Sequence, residues 1–251
     1  MTAGGFLLPW PHRWGGRTMT RVKWLCAFVV FLALAASPTG AFAHGVTDGD
    51  KGYIQETTGA QIIPFVYLGA KHMVTGYDHL LFLVGVIFFL YRMREIGVYV
   101  TLFALGHSTT LLLGVLTGVS VSAHLVDAII GLSVVYKALD NLGAFRRWFG
   151  FQPSTKAATL VFGLFHGFGL ATKILDYELS PDGLVFNLLA FNVGVEIGQL
   201  LGLGGILIAM SFWRRSKGFV RHAYAANVVL MTAGLLLTGY QLAGYVITDL
   251  R

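Results

Sequence analysis

The sequence predicts an all-α membrane protein, a bundle of six transmembrane helices, and three observations carry that prediction. Hydrophobic residues make up 55% of the chain and charged residues only 12%, about half the charged share of a soluble domain. Mean hydropathy is +0.69. Apolar runs near the length of about 20 residues that crosses a bilayer recur along the 251-residue chain. The 32 glycines fit the same class. Small residues let membrane helices approach closely, whereas in a soluble helical protein so much glycine costs stability.

The N-terminus reads as a targeting segment. Residues 1–18 resemble neither a signal nor a fold, and Met19 opens a better one. Arg21 and Lys23 form a charged start, residues 24–36 an apolar run, and Ala41-Phe42-Ala43 an A-x-A cleavage site. We therefore expect residues 1–43 to be a cleavable signal peptide, with Met19 as its true start. Cleavage after Ala43 leaves His44 first, where its α-amine and imidazole can chelate a metal together. Residues 44–59 are then an extracytoplasmic segment, and 60–251 the transmembrane domain. Cys26 is the one cysteine and falls in the leader, so a metal site in the mature chain has only nitrogen and oxygen donors.

Residues 60–71 are apolar but short, which predicts an interfacial or re-entrant helix before the first span. Six spans follow, at 77–92, 96–118, 122–143, 157–175, 184–212 and 222–246. The loops test this count. Arg92 and Arg94 follow the first span, Arg146, Arg147 and Lys156 the third, and Arg214, Arg215, Lys217 and Arg221 the fifth. The alternate loops lack this bias: residues 119–122 carry no charge, and 173–183 set Lys173 against Asp176, Glu178 and Asp182. Lys/Arg excess marks the cytoplasmic side. Both termini of the mature chain are thus expected outside, in a multi-pass protein of a bacterial inner membrane. Beyond the leader the basic residues sit mostly in short clusters between apolar spans, so the net charge of +6 speaks for the lipid bilayer as partner and against nucleic acid.

Polar residues inside the spans are the candidate site, because a charge within a span costs several kcal/mol. His72, Asp78 and His79 form an H-x5-D-H pattern at the outer end of span one. On one continuous helix His72 and His79 share a face, while Asp78 lies about 120° from His72. A break at Gly76 would let all three converge. Two imidazoles and a carboxylate suit nickel, cobalt or zinc, with Asp78 as ligand or as orienter of a histidine. His107 lies deep in span two beside Ser108, and His166 in span four among glycines. Asp127 in span three is level with the first cluster, whereas Lys137 and Asp140 pair with each other. Asn192, Glu196 and Gln199 fall on one face of span five. The metal candidates are therefore His44, His72, Asp78, His79, His107, His166 and Glu196, supported by Ser108, Asp127, Asn192 and Gln199. Tyr53, Tyr67, Trp148 and Trp213 fit interfacial belts.

These motifs, with Phe165-His166-Gly167-Phe168-Gly169-Leu170-Ala171 and Phe191-Asn192-Val193-Gly194-Val195-Glu196, resemble the HupE/UreJ family of bacterial membrane proteins over nearly all of residues 44–246. The resemblance implies a secondary permease for nickel or cobalt, or a metal-uptake accessory protein. It also implies a partner in metalloenzyme maturation or a periplasmic metal-binding partner. In nickel-uptake members the second motif runs approximately F-H-G-x-A-x-G-x-E; here Gly169 and Ala171 replace the alanine and glycine, and Lys173 stands where the glutamate would be. A cation there would repel a metal ion, which makes the chain a divergent branch. No G-x-x-x-x-G-K-[ST] phosphate loop is present, so transport would draw on an ion gradient, the membrane potential or a partner. The alternative is an intramembrane metalloenzyme, its His/carboxylate centre activating a water.

Overall fold

The computed structural model describes residues 54, 56, 58–175 and 180–250. His44 and the expected signal peptide lie outside the described residues. Among those described, every regular element is a helix: α1 Ile62–Thr75, α2 Tyr77–Ile87, α3 Met93–Thr117, α4 Ala123–Asn141, α5 Ala144–Phe149, α6 Thr155–Leu175, α7 Leu184–Arg215 and α8 Phe219–Thr248.

Four of them, α3, α6, α7 and α8, are long and apolar enough to cross a membrane. This supports the membrane class but not, by itself, the count of six. α4 has 19 residues but carries Asp127, Lys137 and Asp140. α2 has only 11, so the expected first span, 77–92, is too short as a single helix.

The expected interfacial or re-entrant helix at 60–71 corresponds to α1, which runs on to Thr75. α1 packs lengthwise against α7 instead of leading up to the bundle. Its Gly69 meets Phe191 and Val195, and Gly194 and Gly198 of α7 meet Val66 and Ala70. α2 continues along the same neighbour, with Leu80 against Gly202. Residue numbers rise together on both sides, so α1 and α2 run parallel to α7 as two halves of one broken rod. The physical reason is glycine: without a Cβ on either side, the two backbones come into contact. Asn187 of α7 secures the start of the rod, accepting from Gln61 N at 2.6 Å and donating to Gly59 O at 2.9 Å. Arg214 secures its end, donating to Ile87 O and to Phe88 O at 3.0 Å. These bonds satisfy backbone groups that helix ends leave open.

The same device joins two more pairs. α3 and α6 run parallel, with Gly163 against Phe103 and Gly167 against His107. α4 and α8 run antiparallel, with Gly131 against Gly234 and Thr238. At the end that holds the basic clusters, Phe88, Trp213 and Phe219 pack with ring centroids 5.0–5.9 Å apart. There Asp140 accepts from Lys137, as expected, and also from Gln152 and Thr155. Trp148 is exposed on the short α5 that links α4 to α6.

Close packing gives a direct test. A Cβ at Gly194 would sit 2.0 Å from Val66 O, whereas Gly204 has nothing within 4 Å. Gly194→Ala should destabilise the purified protein by about 1–3 kcal/mol, read as a lower unfolding temperature in detergent. Gly204→Ala should leave it unchanged. Equal melting of the two variants would refute the α1–α7 contact.

Candidate metal centre

The break between α1 and α2 builds the site. α1 ends on a bond from Gly76 N to His72 O of 3.0 Å, and Gly76 turns to extended backbone (φ −71°, ψ 99°) before α2 begins. That places His72 in the last turn of one helix and Asp78 and His79 in the first turn of the next. The need for glycine is spatial. A Cβ there would meet His79 Nδ1 at 2.6 Å and Asp78 Oδ1 and His72 O at 3.1 Å. Asp78 also lies at a helix N-terminus, where the dipole favours negative charge.

Four imidazoles from four helices meet at this break. The His79 ring lies 5.2 Å from His72, 6.1 Å from His107 and 5.1 Å from His166, centroid to centroid. His72 is 6% exposed, and His79, His107, His166 and Asp78 are fully buried. Phe103 lies against His79, His107 and His166. Phe82 and Phe191 complete the apolar shell, at 5.6 Å from His166 and 5.9 Å from His72.

Two hydrogen bonds set tautomers. His79 Nδ1 lies 3.1 Å from Asp78 Oδ1, and a carboxylate only accepts, so this nitrogen carries the proton and Nε2 presents its lone pair. His166 Nδ1 donates to Phe162 O at 2.7 Å, with the same result. Such outer bonds orient metal-binding histidines. Neither ring nitrogen of His107 has a hydrogen-bond partner among the described residues. A buried imidazole in that state fits a site built for something else to bind.

The donors fit a metal ion. One ligand atom from each of His72, His79 and His107 lies within 4.8 Å of the others. An ion about 2.1 Å from each nitrogen holds them no more than about 4.2 Å apart, so small ring rotations close the set. Imidazole nitrogens suit zinc, copper, nickel or cobalt better than calcium or magnesium.

The structure thus brings together five of the sequence-predicted residues, His72, Asp78, His79, His107 and His166. Glu196 is not among them: it is exposed on α7 while Asn192 and Gln199 are buried. The reason is angular. At 100° per residue, Glu196 lies about 40° from Asn192 and, in the same direction, about 60° from Gln199, beyond the edge of the buried face. Asn192 Nδ2 donates to Leu188 O at 3.1 Å. Gln199 is fully buried, and neither atom of its amide has a hydrogen-bond partner among the described residues. Ser108 is half-buried on α3.

Lys173, which stands where the resemblance would place a glutamate, has a carboxylate partner. Lys173 Nζ lies 2.7 Å from Asp127 Oδ2, an ion pair between α6 and α4 that offsets its charge. Sequence reasoning missed this pairing, and it missed His124 Nδ1 against Gln241 Oε1 at 2.8 Å. Two opposite charges at equal expected depth were the available signal for the first.

Comparison with known proteins agrees with the motifs. A family model described as HupE / UreJ protein matches residues 48–249. No curated protein and no solved structure matches the chain.

Asp78 is open to test as the orienter of His79. In Asp78→Asn an amide can offer N–H to the ring and reverse its tautomer. Affinity for nickel or zinc should fall about 10–100-fold, measured by calorimetric titration of purified protein. An unchanged affinity would remove Asp78 from the site.

Proposed function

Because the chain belongs to the HupE/UreJ family, we propose that it is a membrane permease for a divalent transition metal, nickel or cobalt, which binds at the histidine cluster during passage. The observation that carries this reading is the broken rod. The break at Gly76 sits between α1 and α2 and gathers four histidines, fully or almost fully buried, from four helices. Secondary transporters bind their cargo at such interruptions, near the membrane midplane.

In this reading α1 and α2 together make one crossing. Their 14 and 11 residues rise about 37 Å at 1.5 Å each, against a hydrocarbon core of about 30 Å. With α3, α4, α6, α7 and α8 this gives six crossings. Arg92, Arg94, Arg146, Arg147, Lys156, Arg214 and Arg215 then face the cytoplasm. The other end faces outward, as does the N-terminal segment once the signal peptide is removed.

The cargo must exchange its hydration shell for protein donors. The Nε2 atoms of His79 and His166 are presented by fixed tautomers, and His107 has two nitrogens without protein partners among the described residues. The unsatisfied amide of Gln199, near the level of the break, offers a next polar step toward the basic end. Beyond it lies the Lys137–Asp140 network with Asn141 and Asn227.

The closed aromatic shell around the cluster favours the metalloenzyme alternative in one respect, since it resembles a sealed centre more than a channel. Transport decides between the two. Proteoliposomes carrying the protein should accumulate radioactive nickel or cobalt, and His79→Ala should reduce uptake to the level of empty vesicles. If the wild type retains stoichiometric metal yet no ion crosses, the permease reading fails and the enzyme reading replaces it.

A further inference from the structure

We propose that Lys173 and Asp127 form a charge latch beside the histidine cluster: the Lys173 ammonium holds the Asp127 carboxylate until an incoming divalent cation displaces it, and Asp127 then supplies counter-charge to the bound ion. The inference rests on the metal-permease reading and adds to it a residue pair that tunes affinity.

The geometry is that of a buried pair. Nζ and Oδ2 are 2.7 Å apart, with the lysine side chain 14% and the aspartate 5% exposed. Stability does not account for such a pair, since replacing a buried ion pair by apolar residues is often neutral or stabilising. Its position does suggest a role. Asp127 is the fifth residue of α4, and Lys173 lies two residues from the end of α6. Gly169, three residues from His166 on α6, lies against this stretch of α4: a Cβ there would fall 3.0 Å from Val126 and in ordinary contact, at 3.8 Å, with Asp127 Oδ1. The pair therefore sits about one helical turn from the His166 ring.

Charge balance gives the latch its function. Neutral imidazoles leave the two positive charges of the ion intact, and Asp78 offsets one. Asp127 is a second buried carboxylate, beside Gly169 of α6, while Asp140 is paired with Lys137 at the basic end. Asp127 is therefore an available source of a second negative charge, and in a low-dielectric site an uncompensated charge is costly. Lys173 holds it in the meantime, so the empty site carries no stranded carboxylate, and the displaced ammonium, on a flexible stem two residues from the end of α6, swings outward to water.

Polar groups also gather at the ends of α4 and α8 nearest the latch. Ser122 donates to Asp249 at the ends of α4 and α8. Hydrogen bonds from Ser122 and Thr248 hold the Asp249 carboxyl below its ordinary range, so it stays anionic at that mouth. Two residues further along α4, His124 Nδ1 lies 2.8 Å from Gln241 Oε1 of α8.

Calorimetric titration of the full-length purified protein with nickel chloride tests this through the sign of each effect. Lys173→Gln should tighten nickel binding about fivefold, and Asp127→Asn should weaken it about tenfold. General structural damage would weaken both, and that result overturns the latch. The double variant Asp127→Asn/Lys173→Gln leaves no lone charge and guards against misfolding of the singles. It should bind nickel about tenfold more weakly with an unchanged unfolding temperature. A double variant within about twofold of the wild type overturns the latch while leaving the metal site standing. A wild type that binds no nickel overturns both.

Discussion

Helices in a bilayer gain little from burying apolar surface against one another, because lipid is as apolar as they are. What holds this bundle is contact between backbones at glycine. A Cβ at Gly167 would lie 2.0 Å from His107 O, and one at Gly194 equally close to Val66 O. The first contact sets α3 against α6, bringing His107 and His166 to one depth. The second fixes α1 on α7, which fixes where the rod breaks. The histidine cluster is the place where the two glycine-packed pairs meet, and its geometry depends on both.

Charge placement follows from the same medium. Within the bundle Lys173 lies against Asp127 and Lys137 against Asp140, and Asp78 has the helix dipole and a ring N–H of His79. The pairs divide the molecule into two ends with different chemistry. One carries the basic loops, an aromatic cluster and the Asp140 network. The other carries Asp249, His124 and the Lys173–Asp127 pair. The cluster itself is walled by phenylalanine rings, which exclude water and strengthen any interaction between nitrogen donors and a cation.

Much of the site was legible in the sequence because membrane physics makes polar residues conspicuous. His72, Asp78, His79, His107 and His166 stand out as costly within apolar runs, and all five converge. Gly76 was legible as a possible break. Glu196 stood out for the same reason and does not converge. Spacing of four and three residues defines a broad face, and which edge of that face is covered depends on where α1 lies. The helix at 60–71 was read as interfacial or re-entrant from its short apolar length; its glycine-mediated seat on α7 involves residues more than a hundred positions away.

The sequence by itself determined that the chain is helical and apolar, which loops are basic, and which side chains are too polar for the depth they occupy. These are local properties, set by composition and by the price of a charge in hydrocarbon. Only the tertiary structure decided that α1 and α2 form a broken rod, that the four imidazoles share one pocket, and that Lys173 faces Asp127. Each of these turns on rotation and depth of one helix against another, fixed by glycine contacts between distant segments that no local pattern encodes.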